Sequence, residues 1–293
     1  MSLVACGGAR EVHAPAAPAV APRIEQVASP AEGIFANAYL VELADGVVVI
    51  DATLRVTDAT ALRARIDALG KPLLGVLLTH GHPDHYNGVA IVTAGHAVPV
   101  IATREVDGVI RGDDAKKQAL WQPMFGAEWP APRAFPTRQV ADGEVVSLGG
   151  ARFQVHAVGA AESHADSYWT IDGVAAAFVG DLVFSGTQSF ISDGHTGAWL
   201  DALAALARAL PANTTLYPGH GAPGGVALIA TQQRYLTRLR AEVRRLSPTG
   251  APLDDAAKAA LLAAMQQVEP SAALAFLIGL GADAVASELA ATR

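Results

Sequence analysis

The sequence predicts an α/β (α+β) protein arranged as a four-layer αββα sandwich, with two mixed β-sheets face to face and helices outside. Three observations carry this. From Ile34 onward, short β-branched or apolar runs alternate with segments of helical periodicity. One run, Leu73 to Leu78, is apolar throughout, as expected of a strand buried on both faces. Towards the end the strand signals stop, and helical, Ala-rich sequence closes the chain. Two sheets packed together under outer helices would bury all of these runs.

In chain order, Phe35 to Leu43 and Val47 to Ile50 read as a hairpin around the turn Ala44-Asp45-Gly46. Thr57 to Leu69 has helical spacing through Leu62, Ile66 and Leu69, with Gly70 as its C-cap and Pro72 beyond. The strand Leu73 to Leu78 follows, then a helix over Asn87 to Ala94, a strand over Val98 to Ala102 and a helix from Arg104. Gln122 to Pro136 breaks the rhythm with Pro123, Pro130, Pro132 and Pro136 among Trp121, Phe125, Trp129 and Phe135, as a packed loop or a substrate-contacting flap does. Strands are expected at Val145 to Leu148, Phe153 to Ala157, Ser167 to Ile171, Ala176 to Val179 and Thr214 to Tyr217. Helices are expected at Ala198 to Leu210, Val226 to Leu246 and from Asp254 on, the second with Arg234, Arg238, Arg240, Arg244 and Arg245 on a solvated face. This divides the chain into a tether over 1–23 and one domain over 24–293, whose C-terminal helices begin near 226.

Composition excludes several classes. Of 293 residues, 51% are hydrophobic and 17% charged, against a typical ~25% charged, so the chain is not disordered. A net charge of −7 without a Lys/Arg cluster argues against a nucleic-acid partner. The longest strongly apolar run, Ala272 to Leu280, is far short of the ~20 residues that span a bilayer. The single cysteine, Cys6, excludes an internal disulfide and a thiolate metal cluster.

Leu3-Val4-Ala5-Cys6 resembles the end of a bacterial lipoprotein signal, although the charged and long apolar parts of such a signal are missing, and a Pro/Ala-rich tether follows. The expectation is a lipid anchor at Cys6 and a periplasmic, membrane-anchored protein; the alternative is a frayed terminus on a cytoplasmic one.

The chemistry is concentrated in Thr79-His80-Gly81-His82-Pro83-Asp84-His85, directly after the buried strand. Histidine and carboxylate are the ligands of Zn²⁺ and similar ions. Alternate residues of extended chain point the same way, so a His-x-His pair can serve one metal, while Asp84 and His85 project elsewhere and can serve a second.

This segment resembles the His-x-His-x-Asp-His signature of the metallo-β-lactamase fold superfamily of hydrolases. The resemblance runs from about Gly33 to about Gly225 and implies three further ligands, each next to a strand: His164, Asp181 and His220 stand in the family's order. By that resemblance His80, His82 and His164 hold one metal, Asp84, His85 and His220 hold the other, and Asp181 bridges them at the sheet edge. It implies two divalent ions, zinc by preference with iron or manganese as alternatives, and a bridging hydroxide formed near neutral pH as the nucleophile. The resemblance also makes Asp84 the expected catalytic carboxylate. One departure is local: many relatives have Gly before the third histidine and Thr after it, where this chain has Ser163 and Ala165. Asp51 is either a turn residue or the group that orients a ligand histidine. His13 lies in the tether, while His96, His156 and His195 read as a helix-end, a strand and a helix-start residue; His195 could also contact substrate.

Candidate ligands without cysteine favour hydrolysis over redox chemistry. Di-iron relatives carry Glu at the position of His82, and dedicated β-lactamases of one kind carry Cys at that of Asp181. The basic C-terminal motifs of glutathione thioesterases are not matched. The implied substrate is a small ester, lactone or related acyl compound, with Trp121, Phe125, Trp129, Phe184, Trp199 and His195 as candidate contacts. A mononuclear-iron dioxygenase of the persulfide type, a β-lactam or thioester hydrolase and a protein with structural zinc stay open.

Overall fold

The computed structural model describes residues 21–131 and 133–292; the expected anchor at Cys6 and His13 lie outside them. The first sheet has the order β1 (Arg23–Ala28), β2 (Asn37–Glu42), β3 (Val47–Ile50), β4 (Leu73–Leu77), β5 (Val100–Thr103) and β6 (Arg138–Val140). Its first two pairings are antiparallel and its last three parallel. The second has the order β12 (Gly224–Gly225), β11 (Thr215–Gly221), β10 (Val174–Ser185), β9 (Asp166–Ile171), β8 (Ala151–Gly159) and β7 (Val145–Leu148), with β10 and β11 its one parallel pair.

The period of two along each strand sorts side chains into layers. Val47 and Val49 pack outward with Leu62 and Ile66 of α1 (Val56–Ala68), Tyr86 of α2 (Pro83–Tyr86), Val89 and Val92 of α3 (Val89–Val92), and Val106 and Ile110 of α4 (Arg104–Phe125). Val48 and Ile50, from the same strand, pack between the sheets with Tyr39, Leu77, Phe153, Trp169 and Phe178. On the far side, Ala177 and Val179 meet α5 (Thr196–Ala209), α6 (Ala227–Leu246), α7 (Asp255–Met265) and α8 (Phe276–Ala291) through Trp199, Leu239, Leu261 and Ile278. These are the four layers of an αββα sandwich. Among the described residues, no helix is long and apolar enough to cross a membrane.

Three local differences from the sequence reading have physical causes. Arg23–Ala28 forms an edge strand ahead of the expected globular start; its face is only half buried, and Arg23 ties it to β2 through Glu42 at 3.1 Å. The proline-rich segment is not a free flap. Helix α4 runs through Pro123 to Phe125, and Arg133 then pins the following chain by pairing with Asp114 and lying over Tyr86 and Trp129 at 5.3 and 5.2 Å. Arg240 leaves the expected solvated face of α6 and packs part-buried against Glu288 of α8, with Nη1 2.8 Å from Oε1.

Candidate metal centre

At its C-terminal end β4 leaves the sheet, and Asp51 catches it there. Asp51 follows β3 in left-handed backbone (φ 59°). Its Oδ1 accepts from Thr79 N at 2.9 Å and its Oδ2 from Thr79 Oγ1 at 2.8 Å. From that anchor the chain delivers His80, then His82 as N-cap of α2, with Pro83 as its first residue. The fixed φ of proline suits a helix start, and the single turn that follows carries Asp84 and His85.

The second sheet supplies the rest. The β10–β11 register shifts on both sides of Gly180. Asp181 sits in that irregular stretch, out of the regular ladder, and is buried. His220 ends the other parallel strand, and the Phe184 ring stacks on it with centroids 5.2 Å apart. Gly219 is required by close approach. A Cβ there would lie 1.8 Å from Asp181 Oδ1 and 2.8 Å from His85 Cε1. Gly219→Ala should therefore retain the circular dichroism spectrum while losing most bound metal by elemental analysis; full metal content in that variant would show that the site tolerates the shift.

Two groups of potential ligand atoms result, each with its members within 4.8 Å of one another: His80, His82, Glu162 and Asp181, and Asp84, His85, Asp181 and His220. Asp181 belongs to both. The residues fit a cation centre on an observation independent of any relative. His80 Nε2, His85 Nε2, both Glu162 oxygens and Asp181 Oδ1 are buried without a hydrogen-bond partner. Each such orphan costs about 1–3 kcal/mol, and five of them converge here. The remaining nitrogens of three histidines are oriented from behind. Asp51 Oδ2 is 2.9 Å from His85 Nδ1, Thr79 Oγ1 is 3.0 Å from His80 Nδ1, and Asp193 Oδ2 is 3.1 Å from His82 Nε2. That leaves His82 Nδ1, 3.1 Å from Glu162 Oε2, to face the centre. Such outer partners fix ring orientation and tautomer in metal sites.

His164 does not join this centre. The turn before β9 is closed by Asp166 Oδ2, which accepts from Ala161 N and Ser163 N at 3.2 and 2.9 Å. That closure turns Glu162 inward, completely buried, and leaves the His164 side chain 48% exposed. His164 instead meets His195, with Nδ1 2.7 Å from Nε2, and lies 3.9 Å from Asp193. The third histidine of the expected set thus stands apart from both ligand groups in this structure, because a tight turn sends residues two apart to opposite sides. Sequence reasoning missed Glu162, Asp193 and Lys117. The four-residue spacing from Glu162 to Asp166 was a usable signal for the first; nothing local marks the other two.

The electrostatics follow from burial and crowding. Burial pushes Glu162 up to about 8, opposed by His82. Burial also raises Asp166 to about 7. Asp181 would likewise rise, but His220 and His85 outweigh burial and hold it at about 2. His82 is raised to about 10, its burial outweighed by Glu162, and His220 to about 9, its burial outweighed by Asp181. Burial and the neighbouring His85 hold His80 well below its ordinary value. Positive charge that these carboxylates attract as protons is supplied by a cation once one is bound.

A cavity opens over His82, Asp84, Asp181 and His220 and is walled by Trp121, Met124, Phe125, Phe190, Phe276 and Leu277. Of the expected substrate contacts, the structure places Trp121 and Phe125 in this wall. Trp129, Phe184 and Trp199 are buried in packing instead, Trp129 under Arg133 and Trp199 donating from Nε1 to Leu182 O at 2.9 Å. His195 is turned towards His164 and is not among the lining residues.

The family model of the metallo-β-lactamase superfamily matches residues 31–220. A hydroxyacylglutathione hydrolase of Brucella anthropi is 26% identical over 62% of this chain, and the uncharacterized protein YobT of Bacillus subtilis is 37% identical over 28% of it. The chain spans only 60% of the first of these relatives and 35% of the second. Among solved structures, a β-lactamase domain protein from Burkholderia ambifaria superposes with a TM-score of 0.67 at 20% identity, covering 95% of this chain and 91% of that one. At that identity the likeness is one of fold.

Proposed function

Since the chain belongs to the metallo-β-lactamase superfamily, we propose that it is a hydrolase that holds two divalent cations, zinc by preference, and cleaves an ester, lactone or related acyl bond of a small substrate. The observation that carries this reading is the pair of buried ligand groups sharing Asp181 beneath an open cavity. When bound, the cations polarise an acyl carbonyl and acidify water for attack on it. His80, His82 and Glu162 would hold one cation, Asp84, His85 and His220 the other, and Asp181 would lie between them. Asp51 and Asp193 keep the inward nitrogens of His85 and His82 available by engaging the opposite ring atoms. Asp84 lines the cavity with Oδ2 3.1 Å from His220 Nε2, where it can take the proton released on attack and return it to the leaving group.

One observation favours a second reading. Two imidazoles and a carboxylate, as in His80, His82 and Glu162, are also the ligand set of mononuclear non-haem iron oxygenases. Metal analysis combined with a panel of ester, lactone, thioester and β-lactam substrates separates the two. About two cations per chain and acyl hydrolysis abolished by chelation are expected; one iron per chain with oxygen uptake would establish the dioxygenase instead.

A further inference from the structure

We propose that the cleft takes acyl substrates with an extended apolar tail, which leaves the centre between α4 and α8. This deepens the hydrolase reading and rests on it. Among the described residues, the large apolar side chains left exposed are Leu120, Met124, Phe276 and Leu280, at 63%, 69%, 54% and 49%. They are not scattered. Leu120 and Met124 are one turn apart on α4, and Phe276 and Leu280 one turn apart on α8. Met124 and Phe276 line the same cavity as His82, Asp84, Asp181 and His220. Leu120 and Leu280 line the adjoining groove, which shares Trp121, Phe190 and Lys117 with that cavity.

The exposed apolar surface is therefore the outer part of a path that begins at the ligand groups. The lysines along this path are already engaged: Lys117 Nζ lies 5.5 Å from the Phe190 ring centroid and 3.9 Å from Asp193 Oδ1, and Lys116 Nζ, in the groove, pairs with Asp113 Oδ1 at 2.8 Å. A charged tail thus gains little along this wall. An alkyl or aryl tail covers apolar surface that water otherwise wets, and each methylene that reaches it should strengthen binding roughly two- to fourfold. Concavity and continuity with the ligand groups favour a substrate tail over a flat partner as the occupant.

The test uses the full chain and a Met124→Ser/Phe276→Ser variant, whose exposed positions spare the core. Metal-loaded protein is assayed on p-nitrophenyl acetate, butyrate, octanoate and dodecanoate, and metal-free protein is titrated with octanol, decanol and dodecanol by calorimetry. Expected are kcat/KM rising with acyl length mainly through KM, alcohol affinity rising in parallel, and both slopes flattened in the variant with circular dichroism unchanged. Length-dependent alcohol binding that the variant loses, with no ester cleaved, would uphold the tail site and reject the hydrolase reading. Hydrolysis without length preference, unchanged in the variant, would overturn the tail site alone. Flat length profiles, with the variant losing only adsorption to phosphatidylglycerol vesicles or self-association in sedimentation, would reassign the surface to a membrane or a second copy and overturn the proposal.

Discussion

Glu162→Gln should lower bound metal from about two ions per chain towards one and reduce kcat by roughly 100-fold or more, since even partners behind a ligand are worth 10–100-fold. Glu162 Oε2 lies 3.1 Å from His82 Nδ1 and 3.7 Å from His80 Nε2, completely buried, and both its oxygens lack a hydrogen-bond partner. Glutamine keeps the shape and removes the charge. It also offers one acceptor in place of two, so the group with His80 and His82 loses its own anion while the Asp84, His85 and His220 group keeps its members. His164→Ala is the decisive companion. With its side chain half exposed and turned towards His195, that variant should keep its metal content. The opposite pattern, in which His164→Ala loses an ion and Glu162→Gln keeps both, would return the third ligand to His164.

Asp181→Asn should abolish most activity while the fold survives. Asp181 Oδ1 is 3.4 Å from His85 Nε2, and its Oδ2 is 3.3 Å from His220 Nε2 and 4.0 Å from His80 Nε2, so one carboxylate serves both groups. Two unit charges 4 Å apart interact by about 4 kcal/mol at an effective dielectric of 20, and dications by more. An uncharged asparagine leaves that repulsion uncompensated. Metal content should fall towards one per chain, and kcat by orders of magnitude, with an unchanged circular dichroism spectrum. Two retained ions and near-native turnover would reduce Asp181 to a strand-end residue.

Much of the scaffold was legible because burial on both faces leaves a plain mark. The unbroken apolar run Leu73 to Leu78 suggested a strand buried on both faces, and the alternation in Val47–Ile50 serves two cores at once. The edge strand β1 left no such mark, since a half-exposed strand tolerates Arg, Glu and Gln. The proline-rich segment misled for the opposite reason. Its prolines suggested irregular chain, but α4 keeps Pro123 in its last turn, giving up one backbone donor, and the part-buried pairing of Arg133 with Asp114 joins residues that no local pattern connects.

The sequence by itself determined the fold class, the family and the dense set His80, His82, Asp84 and His85, because these depend on period, order and close spacing along one strand–turn–helix unit. Only the tertiary structure decided which side of the turn before β9 faces inward, and so placed Glu162 rather than His164 beside His80 and His82. Only it brought Asp193 behind His82 and set α8 opposite α4 across the cleft. The physical reason is range. Periodicity records what each residue needs from its own element, whereas a side chain's direction out of a tight turn is set by distant partners, here the carboxylate of Asp166 and the buried neighbours that close the site.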